Sequence, residues 1–174
     1  SFPTRRSSDL PGTCFSADTL VKTPAGEQKI ADIKVGDSVY SYDPNLKTLI
    51  TTKVKATSKH NFDPRTPLLA IELEQGVRLE VTNNHPIYDP KKGEYRQVYE
   101  YQVGDQMRYL SANGSQDLKI LGIKKLPNPD FVYNLEIDTE NADLHNYLAE
   151  GILVHNGLPG GIGVTPSKTI PGIN

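Results

Sequence analysis

Apolar and polar residues alternate with a period of two over several short runs of this chain. Leu69-Ala70-Ile71-Glu72-Leu73 and Val77-Arg78-Leu79-Glu80-Val81 each place their apolar side chains on one face. Glu74-Gln75-Gly76 between them supplies turn chemistry, so the pair predicts a β-hairpin. Tyr133-Asn134-Leu135-Glu136-Ile137 alternates in the same way. It predicts a second hairpin, formed across a longer loop with the run Tyr147 to Val154 around Gly151. The only helix candidate is a short turn near Ile30-Ala31-Asp32-Ile33. Many short strands separated by turn residues predict an all-β fold.

An internal repeat refines that expectation. Ile30-Ala31-Asp32-Ile33-Lys34-Val35-Gly36-Asp37-Ser38-Val39 aligns with Val98-Tyr99-Glu100-Tyr101-Gln102-Val103-Gly104-Asp105-Gln106-Met107, sharing Val-Gly-Asp and the flanking apolar positions. Upstream, Pro24-Ala25-Gly26-Glu27 loosely matches Lys91-Lys92-Gly93-Glu94. Two copies at long spacing indicate a duplicated domain with a pseudo-twofold axis rather than a solenoid. The Gly-Asp pairs read as structural turns, where Gly permits positive φ and Asp accepts from backbone amides.

Composition narrows the functional classes. A chain of 174 residues with 36% hydrophobic content fits one domain with tails. A net charge of −2 gives no electrostatic reason to expect nucleic acid or a membrane surface as partner. No apolar stretch is long enough to span a bilayer as a helix. The lone cysteine, Cys14, cannot form an internal disulfide, and alongside histidines it is a candidate nucleophile. Ser1 to Leu10 resembles a translated sequencing adapter and is set apart as an artefact, leaving residues 11–13 as an upstream flank. Residues 157–174 are rich in Gly and Pro without apolar period and read as a linker, so the domain is expected to span 14–156.

Several blocks in one order carry a family resemblance. Cys14-Phe15-Ser16-Ala17-Asp18-Thr19-Leu20-Val21 with Gly36-Asp37 is followed by Thr82-Asn83-Asn84-His85-Pro86. Val132-Tyr133-Asn134-Leu135-Glu136-Ile137, His145-Asn146-Tyr147 and Val154-His155-Asn156 come after. Together they resemble the Hint (hedgehog/intein) domain, in particular the bacterial intein-like modules of large secreted or toxin-like proteins. The resemblance implies a curved β horseshoe whose two ends meet in a central cleft, self-processing activity, and a place within an exported or cell-surface bacterial protein.

The same resemblance implies chemistry at two junctions. Cys14 would attack the carbonyl of Thr13 and convert the Thr13-Cys14 amide to a thioester. His85 would protonate the departing nitrogen, and Thr82 would hold the carbonyl oxygen or fix His85. At the other end, the Asn156 side chain would attack its own carbonyl and release Gly157, assisted by His155 and His145. His60 matches no block and reads as a surface or loop residue. Two positions depart from the splicing pattern: Gly157 stands where an acceptor Cys, Ser or Thr is normal, and Asn134 stands where many inteins carry Asp or Cys. Cleavage without efficient splicing follows, in a monomer whose substrate is its own flanking chain and whose acceptor is water or a small thiol. No cofactor or metal is expected. The competing expectation is an inactive Hint scaffold serving as a spacer in a larger protein.

Overall fold

A computed structural model describes residues 12–157, so the expectations for residues 1–10 and for the segment beyond Gly157 fall outside the described residues. Within that span, the pairings join β1 (Leu20–Thr23), β2 (Gly26–Lys29), β3 (Ser38–Asp43), β4 (Thr48–Asn61), β5 (Leu68–Leu73), β6 (Arg78–Thr82) and β7 (Pro86–Asp89). They continue through β8 (Glu94–Gln97), β9 (Gln106–Ser111), β10 (Gly114–Lys125), β11 (Phe131–Ile137), β12 (Asn146–Ala149) and β13 (Ile152–His155). One sheet runs β2-β1-β12-β13-β9-β10-β5-β6, with β7 on β13 and β8 on β7; a second runs β11-β4-β3. The fold is all-β, as the alternating sequence pattern predicts.

The repeat is visible bond by bond. The Gly36 amide donates to the Val54 carbonyl and the Val54 amide to the Asp37 carbonyl, at 2.8 and 2.9 Å. Their counterparts run from Gly104 to Ile120 and from Ile120 to Asp105, at 2.9 and 2.8 Å. Asp37 and Asp105 each accept from the backbone amide three residues upstream, of Lys34 and Gln102. Gly36 and Gly104 take φ of 91° and 99°, where a Cβ would be strained, which explains why both turns carry glycine. The Gly-Asp turns are therefore structural devices that lead into β3 and β9 and tie the open ends of the equivalent β3-β4 and β9-β10 hairpins.

Two readings of the sequence are corrected. The β5-β6 hairpin forms as predicted, turning through Gln75 and Gly76 at positive φ. β11, however, pairs antiparallel with the long strand β4, not with the Tyr147 to Val154 run, which closes on itself as β12-β13 through Glu150 and Gly151. All eight residues of β12 and β13 are buried, so these strands need cover on both faces and take a central place in the sheet. β4 was not legible because its 14 residues are mostly polar and only one of them is fully buried. The turn at Ile30–Asp32 is also not alone: 3-10 turns occur at Glu74–Gly76, Val98–Glu100 and Ala142–Leu144, the second being its repeat partner.

The upstream end is stitched into this frame at Phe15. Its amide and carbonyl bond those of Tyr133 on β11 at 2.7 and 2.8 Å, while the Ser16 amide donates to Glu80 and the Thr82 amide to the Cys14 carbonyl on the β6 side. The Phe15 ring is fully buried in the main core with Tyr147, Val81 and Ile87, a burial that stabilises by about 1.5 to 3 kcal/mol. Backbone bonds and one aromatic anchor thus fix Cys14 between two strands.

The β12-β13 turn depends on Gly151. It sits at φ +79°, and a Cβ there would lie 2.2 Å from Cε1 of Tyr109, whereas Gly26 at φ +106° faces open space. Both substitutions to Ala cost backbone strain, but only the first also overpacks an aromatic ring. Gly151→Ala is expected to destabilise the domain by roughly 1 to 3 kcal/mol more than Gly26→Ala. Urea unfolding of both variants measures the difference, and equal losses would contradict the packing assigned to Tyr109.

Candidate functional site

At the upstream junction the residues converge on the Thr13-Cys14 peptide. The Cys14 amide donates to Thr82 Oγ1 at 2.9 Å, and that hydroxyl lies 3.2 Å from the Cys14 carbonyl and 2.8 Å from Asn84 Oδ1. The Thr82 side chain therefore holds the nitrogen of the junction rather than the Thr13 carbonyl, while its backbone carbonyl accepts from the His85 amide at 3.2 Å. Its position at the end of β6, one residue after the Phe15-Val81 bridge, makes this contact a consequence of sheet register.

His85 lies in the turn after β6, fully buried, with its ring centroid 4.3 Å from that of Phe15. Its Nε2 is 2.8 Å from the His155 carbonyl; a carbonyl only accepts, so Nε2 carries the proton. Nδ1 is then an unprotonated lone pair, buried and without a hydrogen bond. Burial pushes the ring down to about 3, opposed by the backbones of His155 and Thr13, which favour its protonated form. The ring thus stands between the two junction segments, presenting a base to the upstream side. The sequence assigned it to the upstream side only.

At the downstream junction, the Asn156 amide donates to the His145 carbonyl at 2.9 Å, extending the β12-β13 pairing by one step. The Asn156 side chain is buried with neither Oδ1 nor Nδ2 hydrogen-bonded. An unpaired buried amide costs about 1 to 3 kcal/mol, so this one is held by the surrounding fold, uncommitted to any partner. His155 Nδ1 accepts from the Gly157 amide at 3.1 Å, which assigns its proton to Nε2. Burial is the main cause that pushes His155 down to about 3, with the neighbouring His145 and His85 adding to it. The His145 ring lies 6.3 Å from that of His155, centroid to centroid, and its buried Nδ1 has no hydrogen bond; burial lowers it too.

Asn134, left without a role by the sequence, joins the two junctions. Its Nδ2 donates to the Asn156 carbonyl at 3.0 Å and lies 3.4 Å from Thr13 Oγ1. Its Oδ1 accepts from the Leu135 amide at 2.8 Å and from the Tyr147 hydroxyl at 2.5 Å, which fixes the orientation of the amide. Tyr147 is fully buried, and burial first, then the nearby Cys14, raises its hydroxyl far above the ordinary range. Alternation puts Asn134 on the polar face with Glu136, opposite Leu135 and Ile137, so no signal in the sequence marked it as buried. A Cβ on Gly157 would lie 3.0 Å from Thr13 Oγ1, so the two ends touch.

Cys14 itself is buried in a small apolar cluster with Leu68 and Val132, and burial pushes its thiol up to about 12. The thiol is protonated at neutral pH, so any attack by sulfur must be coupled to proton removal. His60 is not a loop residue: it lies in β4 opposite Val132, half-buried, with its ring beside Gly12 and the Cys14 sulfur.

Comparison with known proteins agrees with this geometry. A family model described as the pretoxin HINT domain matches residues 20–157, beginning downstream of Cys14. The solution structure of a bacterial intein-like domain from Clostridium thermocellum is similar at 29% identity and a TM-score of 0.69, over 82% of this chain and 98% of that one. A DnaB intein from Synechocystis shares the fold at 16% identity and a TM-score of 0.72, over 84% and 99% of the two chains. Among curated proteins, Warthog protein 1 of Caenorhabditis elegans is 35% identical over 75 residues, 43% of this chain. The chain spans 15% of that protein's length.

The buried neutral histidines set a pH dependence. His85 and His155 fall from an ordinary value of 6.5 to about 3 in the folded state, so between those limits the unfolded chain binds more protons. Their contribution is intact above about pH 6.5 and is lost as pH falls, approaching about 2.7 kcal/mol per pH unit when both differ fully. Urea unfolding between pH 7.5 and 5 is expected to show this fall, reduced by about half in His85→Gln. A flat profile would contradict the burial of both rings.

Proposed function

Because the chain belongs to the pretoxin HINT domain family, whose fold is shared with self-processing intein-like domains, we propose that it cleaves its own polypeptide at Thr13-Cys14, at Asn156-Gly157, or at both. The observation that carries this reading is the contact of both junctions with one side chain, Asn134.

Upstream, the Cys14 sulfur attacks the Thr13 carbonyl carbon as its proton passes to Nδ1 of His85. The tetrahedral adduct collapses by breaking the C–N bond, and the proton is delivered to the Cys14 nitrogen, leaving a thioester and a free amine. Thr82 Oγ1, already on that nitrogen, steadies the leaving group. Positioned proton transfer of this kind contributes about 10² to 10⁴ in rate. Downstream, Asn156 Nδ2 attacks the Asn156 carbonyl carbon, closing a succinimide and breaking the bond to Gly157. Asn134 Nδ2 donates to the oxygen on which charge develops, and His155 Nδ1 relays the proton lost by the amide to the Gly157 nitrogen. The pairing of reacting groups through the fold replaces a bimolecular encounter.

Splicing requires an acyl acceptor after Asn156, and Gly157 offers none. Its φ of +82° and the 3.0 Å approach of Thr13 Oγ1 to a Cβ there disfavour any side chain at the position. The thioester is therefore resolved by water or a small thiol. The pretoxin description of the family supports a toxin-like segment as the released cargo.

The test is mass spectrometry of the chain with a polypeptide fused before Thr13. Hydroxylamine or dithiothreitol is expected to release that flank from wild type, about 10²-fold more slowly from His85→Ala, and not from Cys14→Ala. A downstream fragment starting at Gly157 is expected from wild type and not from Asn156→Ala. Intact wild-type protein after thiol treatment would instead support the spacer reading, and a ligated Thr13-Gly157 peptide would overturn cleavage without splicing.

A further inference from the structure

We propose that His60 is the base that activates the nucleophile resolving the Cys14 thioester. This rests on the cleavage reading above and concerns its second upstream step. Cys14 sulfur and the His60 ring converge on the same side of Gly12: a Cβ built there would lie 3.2 Å from Sγ, 3.1 Å from His60 Cδ2 and 3.5 Å from His60 Nε2. Leu68 and Val132, with Phe62 and Leu126 around them, form the apolar cluster that holds Cys14, and none of these four supplies a proton acceptor. His85 holds the His155 carbonyl with Nε2, and its Nδ1 serves the first step, passing the thiol proton to the Cys14 nitrogen.

Position and exposure fit the role. Cys14 is 1% exposed, whereas His60 stands half-buried on the long polar strand β4, so solvent meets the imidazole before it meets the sulfur. Glycine at position 12 keeps the space between them clear of a side chain. Since Gly157 has no nucleophile to receive the acyl group, the acceptor must come from solvent, and water at neutral pH needs a base to attack a thioester rapidly. In the step assigned here, water oxygen bonds to the Thr13 carbonyl carbon while one of its protons passes to His60 Nε2. The C–S bond then breaks, the sulfur leaves with the electron pair, and the imidazolium returns the proton to it. The products are a Thr13 carboxyl group and the Cys14 thiol.

The experiment uses the full chain with a flank fused before Thr13 and follows flank release in buffer alone and with hydroxylamine, a nucleophile strong enough to need no base. His60→Ala and His60→Gln are expected to slow release in buffer by about 10²-fold, while release by hydroxylamine stays within about twofold of wild type. Added imidazole is expected to restore buffer release in His60→Ala, which a packing role would not allow. Unchanged buffer release in both variants, or a loss that imidazole leaves untouched, overturns the role. Loss of hydroxylamine release in either variant, with wild type responding, also overturns it by moving His60 to thioester formation. No hydroxylamine release from wild type overturns the thioester reading itself, and this role with it.

Discussion

The structure turns on one constraint: Thr13 and Cys14 at one end of the described chain and the carbonyl of Asn156 at the other are held against each other by hydrogen bonds. Asn134 Nδ2 reaches both, Thr82 holds the Cys14 amide, and His85 spans from the Thr13 side to the His155 carbonyl. None of these contacts is local in sequence except the turn between Thr82 and His85. They exist because β6, β11 and β13 come to one place, and the duplicated hairpins bring them there. The pseudo-twofold β frame is thus the means by which two distant peptide bonds become neighbours.

Burial gives the site its electrical character. His85 and His155 are neutral over the physiological range, and the Cys14 thiol is kept protonated. A resting site made of neutral groups is chemically quiet, and the unpaired nitrogens of His85 and His145 and the unpaired amide of Asn156 are its reserve of proton donors and acceptors. Such groups oppose folding individually. Among the described residues, their concentration around two peptide bonds in an otherwise largely apolar core is a mark of chemistry rather than of packing.

Much of this was legible in the sequence, and the gaps have physical reasons. The alternating runs disclosed the β5-β6 hairpin, and the repeated Val-Gly-Asp disclosed turns whose bonds match pair for pair. β11 was given the wrong partner because alternation reports which face is buried and says nothing about which strand lies alongside. β4, polar through most of its length and with only Val54 fully buried, carries little apolar signal, and the place of His60 in a strand was hidden with it. The six site residues named from the family blocks all lie near the two junctions. Asn134 and Tyr147 went unassigned because a hydrogen bond between residues on different strands depends on register, which sequence spacing does not encode.

The most direct measurement is the rate of both cleavages, followed together by mass spectrometry on one flanked chain, in wild type and in Asn134→Ala. Asn134 donates to the Asn156 carbonyl and adjoins Thr13, and loss of one such donor costs about 10² to 10³ in rate. A slowing of that size downstream, accompanied by a measurable slowing upstream in a folded variant, is the result expected of a single shared site. Unchanged rates at both junctions, with the circular-dichroism spectrum of wild type retained, would contradict it.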